Sequence, residues 1–239
     1  MYCSDFHNGR WGPKGDGRGK RNVSGGSKFE FWDKLTEEQK EQIKQSVYKE
    51  TYEKGMLMHR CQENCKGLMT VLSGQLRAYI LSDEGREVTL FRVRAGEVCV
   101  LSASCLMDTI AFDVMIEAME ETVVSVLPSV VLNQVMKKNP YVELYLYKAA
   151  TEKFSDVMWT MQQILFQKID KRVAGFLWDE MSHTGNRTLS LTHDEIAKYI
   201  GSAREVVTRV LKYLAENEVI SLGRGKIHIE DKEKLKSFL

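Results

Sequence analysis

The chain has 239 residues, and its 34 basic against 33 acidic side chains leave a net charge of +1, so any attraction for a polyanion has to be local. Its length suffices for one large or two modest cores. With no run of eighteen apolar residues and no apolar N-terminal segment, the expected setting is cytoplasmic, without a membrane partner.

Five cysteines, an odd number without a secretion signal, argue for reduced thiols rather than a disulfide framework. Residues 1–28 stand apart, with seven glycines and the cations Arg10, Lys14, Arg18, Lys20, Arg21 and Lys28. They read as a flexible basic tail or expression remnant with no core of its own.

From Phe31 the chain becomes foldable. Trp32 to Val47 predicts a short helix capped by Thr36. The period then changes to two, and 68–72, 75–81, 86–93 and 122–127 are strand-like, punctuated by glycines at 55, 67, 74, 85 and 96. Ser82 to Gly85 has hairpin-turn composition. Many short strands with frequent turns make an antiparallel sandwich, barrel or roll, assigned to residues 29–140.

After Asn139-Pro140 the pattern is helical, and 141–168 form one long helix. Tyr147, Ala150, Phe154, Val157, Met161 and Ile164 recur at intervals of three and four, a heptad seam expected to pair with the same helix of a second subunit. A second stripe, Leu144, Thr151, Met158 and Leu165, is expected to pack on the chain's own β-domain.

The last segment, 169–239, carries two capping-box sequences ten residues apart, Thr192 to Glu195 and Ser202 to Glu205, each marking a helix start. Ile196, Ala197 and Ile200 give the first helix an apolar face, and Gly201 permits the turn. The second turns Val206, Val207, Val210, Leu211 and Leu214 inward and shows Arg204, Glu205, Thr208, Arg209 and Lys212 outward. Ile220 to Ile229 alternates around Gly223 and Gly225, a hairpin wing with Arg224 and Lys226 at its tip. Arginine grips guanine bidentately, glutamate accepts from cytosine, and exposed lysines suit phosphates, so this is the outline of a winged helix-turn-helix that binds double-stranded DNA.

A β-roll, a long dimer helix and a winged helix-turn-helix in that order resemble the bacterial Crp/Fnr regulators. The resemblance covers Phe29 to Leu239 and is most specific from Leu191 to Leu214. It implies an α+β fold class with an N-terminal cyclic-nucleotide-binding-like jelly roll, a homodimer, and contact with RNA polymerase. It also implies a DNA face of Thr192, His193, Ser202, Ala203, Arg204, Glu205, Thr208, Arg209, Lys212, Arg224 and Lys226. Arg204, Glu205 and Arg209 stand where the cyclic-AMP-receptor branch has its base-reading residues, so the half-site implied is TGTGA-like. Val206 and His193 depart from the pattern, which favours Thr, Ser or Met at the first and arginine at the second.

The effector is addressed by exclusion, and no cofactor is assigned. Cyclic-nucleotide-binding relatives hold the phosphate with an arginine shortly after a Gly-Glu pair. Gly96-Glu97 is present, yet no Lys or Arg lies between Ala95 and Met136, so cyclic AMP is rejected as ligand. Cys61, Cys65, Cys99 and Cys105 are candidates for redox sensing or an iron–sulfur cluster, against plain packing. His59 is a lone candidate haem ligand. A cupin-like enzyme would need clustered histidines, and His7, His59, His183, His193 and His228 are scattered, so neither a catalytic nor a metal site is expected. A structural adaptor without DNA binding is the other alternative.

Overall fold

The computed structural model describes residues 29–59, 66–106 and 114–239, with nothing to be said of the side chains of residues 59 and 104–106. The tail 1–28 and the candidate thiols Cys61 and Cys65 lie outside the described residues, as does the side chain of Cys105.

A 3-10 turn at Trp32–Lys34 precedes helix α1, Glu37–Ser46, so the N-terminal helix is shorter than its composition suggests. Its true start is a capping box: Thr36 Oγ1 accepts from Gln39 N–H while Gln39 Oε1 accepts from Thr36 N–H.

Among the described residues eight strands then form the roll: β1 (Tyr48–Tyr52), β2 (Leu57–His59), β3 (Gly67–Ser73), β4 (Gln75–Leu81), β5 (Glu87–Arg94), β6 (Val98–Cys99), β7 (Met115–Ala118) and β8 (Thr122–Pro128). They make two four-stranded antiparallel sheets, β1-β8-β3-β6 and β2-β7-β4-β5. Met69, Val71, Leu76, Ala78, Phe91, Val93, Val124 and Val126 fill the space between them. Leu68 and Leu127 point from the outer face of the first sheet into a separate cluster with Ile43, Leu132, Val142 and Leu146. Covering on both faces explains why β3 and β8 read as continuous apolar runs. At Gly67, with φ +121°, a Cβ would lie 2.0 Å from the Leu127 carbonyl oxygen, so the β3–β8 crossing requires glycine.

Helix α2, Ser129–Lys138, follows β8 directly, so the helical region begins before Asn139-Pro140, where the sequence pattern places its start. Helix α3 is Pro140–Phe166, opened by Asn139. The Asn139 side chain accepts from Tyr141 N–H at 3.1 Å and donates to Lys34 O at 2.9 Å, tying the helix start to the N-terminal segment.

The phase of the heptad differs from expectation. Leu144, Tyr147, Thr151, Phe154, Met158, Met161 and Leu165 are all exposed, Phe154 by 63% and Leu165 by 66%. Their spacing is an unbroken alternation of three and four. Ala150 and Val157 instead pack on the chain's own clusters, and Ile164 turns toward Gly201. The supposed roll-facing stripe is thus exposed, and half of the supposed seam faces inward. The roll sets this phase, through Thr160 Oγ1 donating to Leu90 O at 2.9 Å and Lys153 lying 5.2 Å over the Phe91 ring.

The C-terminal head comprises α4 (Ile169–Thr184), β9 (Thr188–Leu189), α5 (His193–Ile200), α6 (Arg204–Glu216), β10 (Ile220–Gly223), β11 (Lys226–Ile229) and α7 (Lys232–Ser237). Val173, Leu177, Ile196, Val207, Leu211, Leu214, Ile227 and Ile229 close its core. The wing is a three-stranded sheet in the order β10-β11-β9.

Candidate nucleic-acid interface

Helix α5 starts as its sequence implies. Thr192 Oγ1 accepts from Glu195 N–H at 3.2 Å, and Glu195 Oε2 accepts from Thr192 N–H at 2.9 Å. Gly201, in the left-handed region at φ +62°, ends it, and both the Gly201 and Ser202 amides donate to Ala197 O. Because that closure takes up Ser202, the second capping box does not form. Ala203 is the N-cap of α6, without a side-chain bond, and Glu205 falls at the second helical position, from which it cannot reach back. Its carboxylate is left exposed at the N-terminal end of α6.

Arg204, Glu205, Arg209 and Lys212 are all exposed along one side of α6, with Ala203 at its start, while Val207, Leu211 and Leu214 are fully buried on the other. Val206 and Val210 are half-buried. Thr208 is held: its Oγ1 lies 2.9 Å from His193 Nδ1 at the first turn of α5. Burial and the nearby charges of Arg204 and Lys212 keep the His193 imidazole below its ordinary pKa, favouring the neutral ring. The wing turn presents Arg224 and Lys226, both exposed, and Thr192 is exposed beside the helix pair. Lys212 on α6 and the wing-tip cations Arg224 and Lys226 are placed on one domain where they can meet phosphates, with Arg204, Glu205 and Arg209 exposed on α6 beside them.

The head is seated on the outer face of the β2-β7-β4-β5 sheet, a contact that sequence reasoning did not find. Arg77, 1% exposed, donates from Nε to Thr89 Oγ1 at 2.8 Å and pairs with Glu87 and Glu117. Thr89 Oγ1 in turn donates to Lys198 O of α5 at 2.9 Å, and Lys198 Nζ lies 3.3 Å from Glu87. Arg86 donates to Gly201 O and Arg92 pairs with Glu180 of α4, while within the head Arg172 of α4 donates to Ile200 O of α5. A Cβ at Gly201 would meet Val88 Cγ1 at 3.2 Å, so the same glycine serves the turn and the docking.

Of the candidate sensors, Cys99 is fully buried in the roll core, and burial pushes its thiol up to about 11. Ser102 Oγ is occupied, donating to Cys99 O at 2.6 Å and accepting from Met69 N–H at 3.2 Å. Lys153 reaches the edge of the roll interior, but Asp156 meets its charge at 2.8 Å. Among the described residues beside Cys99 and Ser102, the one cation that reaches the roll core, Lys153, is thus already met by a carboxylate. Among the described residues no group of three or more His, Cys, Asp or Glu is placed to hold a metal, and no helix is long and apolar enough to cross a membrane.

Two family profiles match this chain: a cyclic nucleotide-binding domain over residues 49–139 and a Crp-like helix-turn-helix domain over residues 171–238. The transcriptional regulator SdrP of Thermus thermophilus is 31% identical over 175 residues, 70% of this chain and 80% of that protein. The transcriptional activator protein Anr of Pseudomonas protegens is 29% identical over 186 residues, 74% of this chain and 75% of its own length. A crystal structure assigned to the crp/fnr family of transcriptional regulators, from Eubacterium rectale, superimposes with a TM-score of 0.84 at 42% identity, covering 89% of this chain and 98% of that one.

Proposed function

The chain belongs to the Crp/Fnr family of transcription regulators, and from that premise we propose a cytoplasmic homodimer that reads a TGTGA-like palindrome and answers to an effector other than cyclic AMP. One observation carries the base-reading part: Arg204, Glu205 and Arg209 project from one exposed side of α6 above a fully buried apolar side. Arginine on guanine and glutamate on cytosine supply the complementary pattern of such a half-site.

The exposed heptad of α3 supports the dimer. Leu144, Tyr147, Phe154, Met158, Met161 and Leu165 are too apolar and too regularly spaced to stand in water along a 27-residue helix, and the same helix of a second copy covers them most economically. A two-fold pair of heads then matches a palindrome. Contact with RNA polymerase belongs to the same reading.

The effector reading is supported by the stretch from Ala95 to Met136, which carries no Lys or Arg to hold a phosphate. Redox sensing through Cys99 is disfavoured by its burial and raised pKa, since a thiol in that state neither meets oxidant nor ionises.

Fluorescence anisotropy with a TGTGA palindrome and a scrambled duplex at fixed salt tests the proposal. A preference of about a thousandfold or more is expected of a specific reader. Equal affinity for the two duplexes would sink the base-reading assignment, and binding by a monomer would sink the seam.

A further inference from the structure

Where roll, long helix and head meet, a cavity of about 370 Å³ opens between β5, the last turns of α3, α4, the end of α5 and the C-terminal residue. Its size suits a small organic molecule. Trp159 of α3 and Trp178 of α4 line it from different elements, with Tyr199 of α5 between domains. Trp159 is 58% exposed although it lies off the heptad stripe, so a second α3 does not account for its exposure.

The polar lining is divided: Asp179 lies under the charges of Arg92 and Arg94 and forms no ion pair with Arg172 among the described residues. Arg172 is half-buried, donates to Ile200 O, and pairs with no carboxylate among the described residues. Burial and the neighbouring Arg86 both disfavour its charge. Two arginines of the domain boundary differ from it: Arg77 has Glu87 and Glu117, and Arg92 has Glu180. Gln163 of α3 and Gln167, which caps the C-terminal end of that helix, face the same space, and no hydrogen bond engages their side-chain amides among the described residues.

We propose that this cavity binds a planar aromatic carboxylate, its ring against the Trp159 and Trp178 indoles and its carboxylate on the Arg172 guanidinium. Indole faces favour a flat ring, and an uncompensated guanidinium in a partly dry wall favours a carboxylate over a neutral group. The occupant spans the junction of α3 and α4 and touches α5, so its binding free energy favours the seated position of the head. The site lies outside the roll interior and refines the reading that an effector controls the head.

Titration calorimetry and tryptophan fluorescence on the full chain, without DNA, test it with 2-naphthoate as probe and 2-naphthamide and cyclohexanecarboxylate as controls. Saturable binding of one naphthoate per chain is expected, weaker by about tenfold for the amide and for Arg172→Gln, the loss of one charge-assisted contact. Trp159→Ala, at an exposed position, should also weaken binding and remains informative if Arg172→Gln fails to fold. No saturable binding of naphthoate, or equal binding by Trp159→Ala and by wild type, overturns the assignment. Because DNA is absent, that failure is separable from failure of the palindrome reading, which the anisotropy measurement decides.

Discussion

Arg92 of β5 and Glu180 of α4 form an ion pair across the boundary between roll and head, with both side chains 14% exposed. The Arg92 guanidinium also lies 5.0 Å over the Tyr199 ring and 5.5 Å over Phe176, which stack on one another. One strand residue therefore grips two helices of the head through charge and ring faces together.

Removing either partner should loosen the head without unfolding the roll. Arg92→Ala leaves Glu180 largely buried and unpaired apart from Arg94 at 3.8 Å, and the expected cost to the seated arrangement is about 3 kcal/mol. Limited proteolysis in the α3–α4 linker should become faster, and a double-mutant cycle with Glu180→Ala should show coupling. Additive effects would mean that the pair does not hold the domains together.

The DNA face makes a sharper prediction. Arg204→Ala and Glu205→Ala should each cost about 1–3 kcal/mol on the specific site and relax base choice at one position. Lys226→Ala should weaken all duplexes alike and lower the salt slope. Anisotropy titrations against single-base variants distinguish the two patterns, and Arg204→Ala binding the palindrome as tightly as wild type would displace the reading face from α6.

The corrected phase of the α3 heptad separates assembly from folding. Phe154→Glu with Met158→Glu places carboxylates on the exposed stripe, so sedimentation should show folded monomers. Val157→Glu puts a carboxylate against the roll core instead and should unfold the roll, at a cost of several kcal/mol. A dimer that survives the first double substitution would move the interface elsewhere.

That contrast shows what the sequence could and could not convey. The head was legible because its signals are local: Thr192 with Glu195, the left-handed Gly201, and alternation around the wing all act within a few residues. The period of α3 was legible for the same reason. Its phase was not, because Ala150, Val157 and Ile164 repeat as regularly as Leu144, Thr151, Met158 and Leu165, and only the roll's surface decides which set is covered. Helix α2 was hidden because Val130, Val131, Leu132 and Val135 form an apolar, β-branched run that reads equally as strand. The docking face escaped notice because Arg77, Glu87, Thr89 and Arg92 alternate with apolar residues, as in any strand with one solvated side. Their partners, Lys198 and Glu180, lie about a hundred residues away in the chain.

The last prediction concerns acid. His193 is held below its ordinary pKa by burial first and then by Arg204 and Lys212, so the folded head binds this proton less readily than the unfolded chain does. The unfolded histidine titrates near 6.5, and the associated stability is fully present above that pH and lost as pH falls through the lower folded value. The loss should be below about 1 kcal/mol, because the ring remains partly in solvent. Glu195, lowered chiefly by the Thr192 amide and Lys54 against the opposing effect of burial, acts only in the more acidic carboxylate range, so the window from pH 6.5 to about 5 isolates His193 from it. Chemical denaturation of wild type and His193→Gln at pH 7.5 and 5.5 makes the comparison, since glutamine preserves hydrogen bonding toward Thr208 Oγ1 without titrating. Wild type should lose more stability than the variant on acidification, and an NMR titration should place the His193 midpoint below 6.5. Equal losses in the two proteins, or a midpoint above that value, would mean that the imidazole is charged in the folded head and that its bond to Thr208 does not depend on the neutral ring.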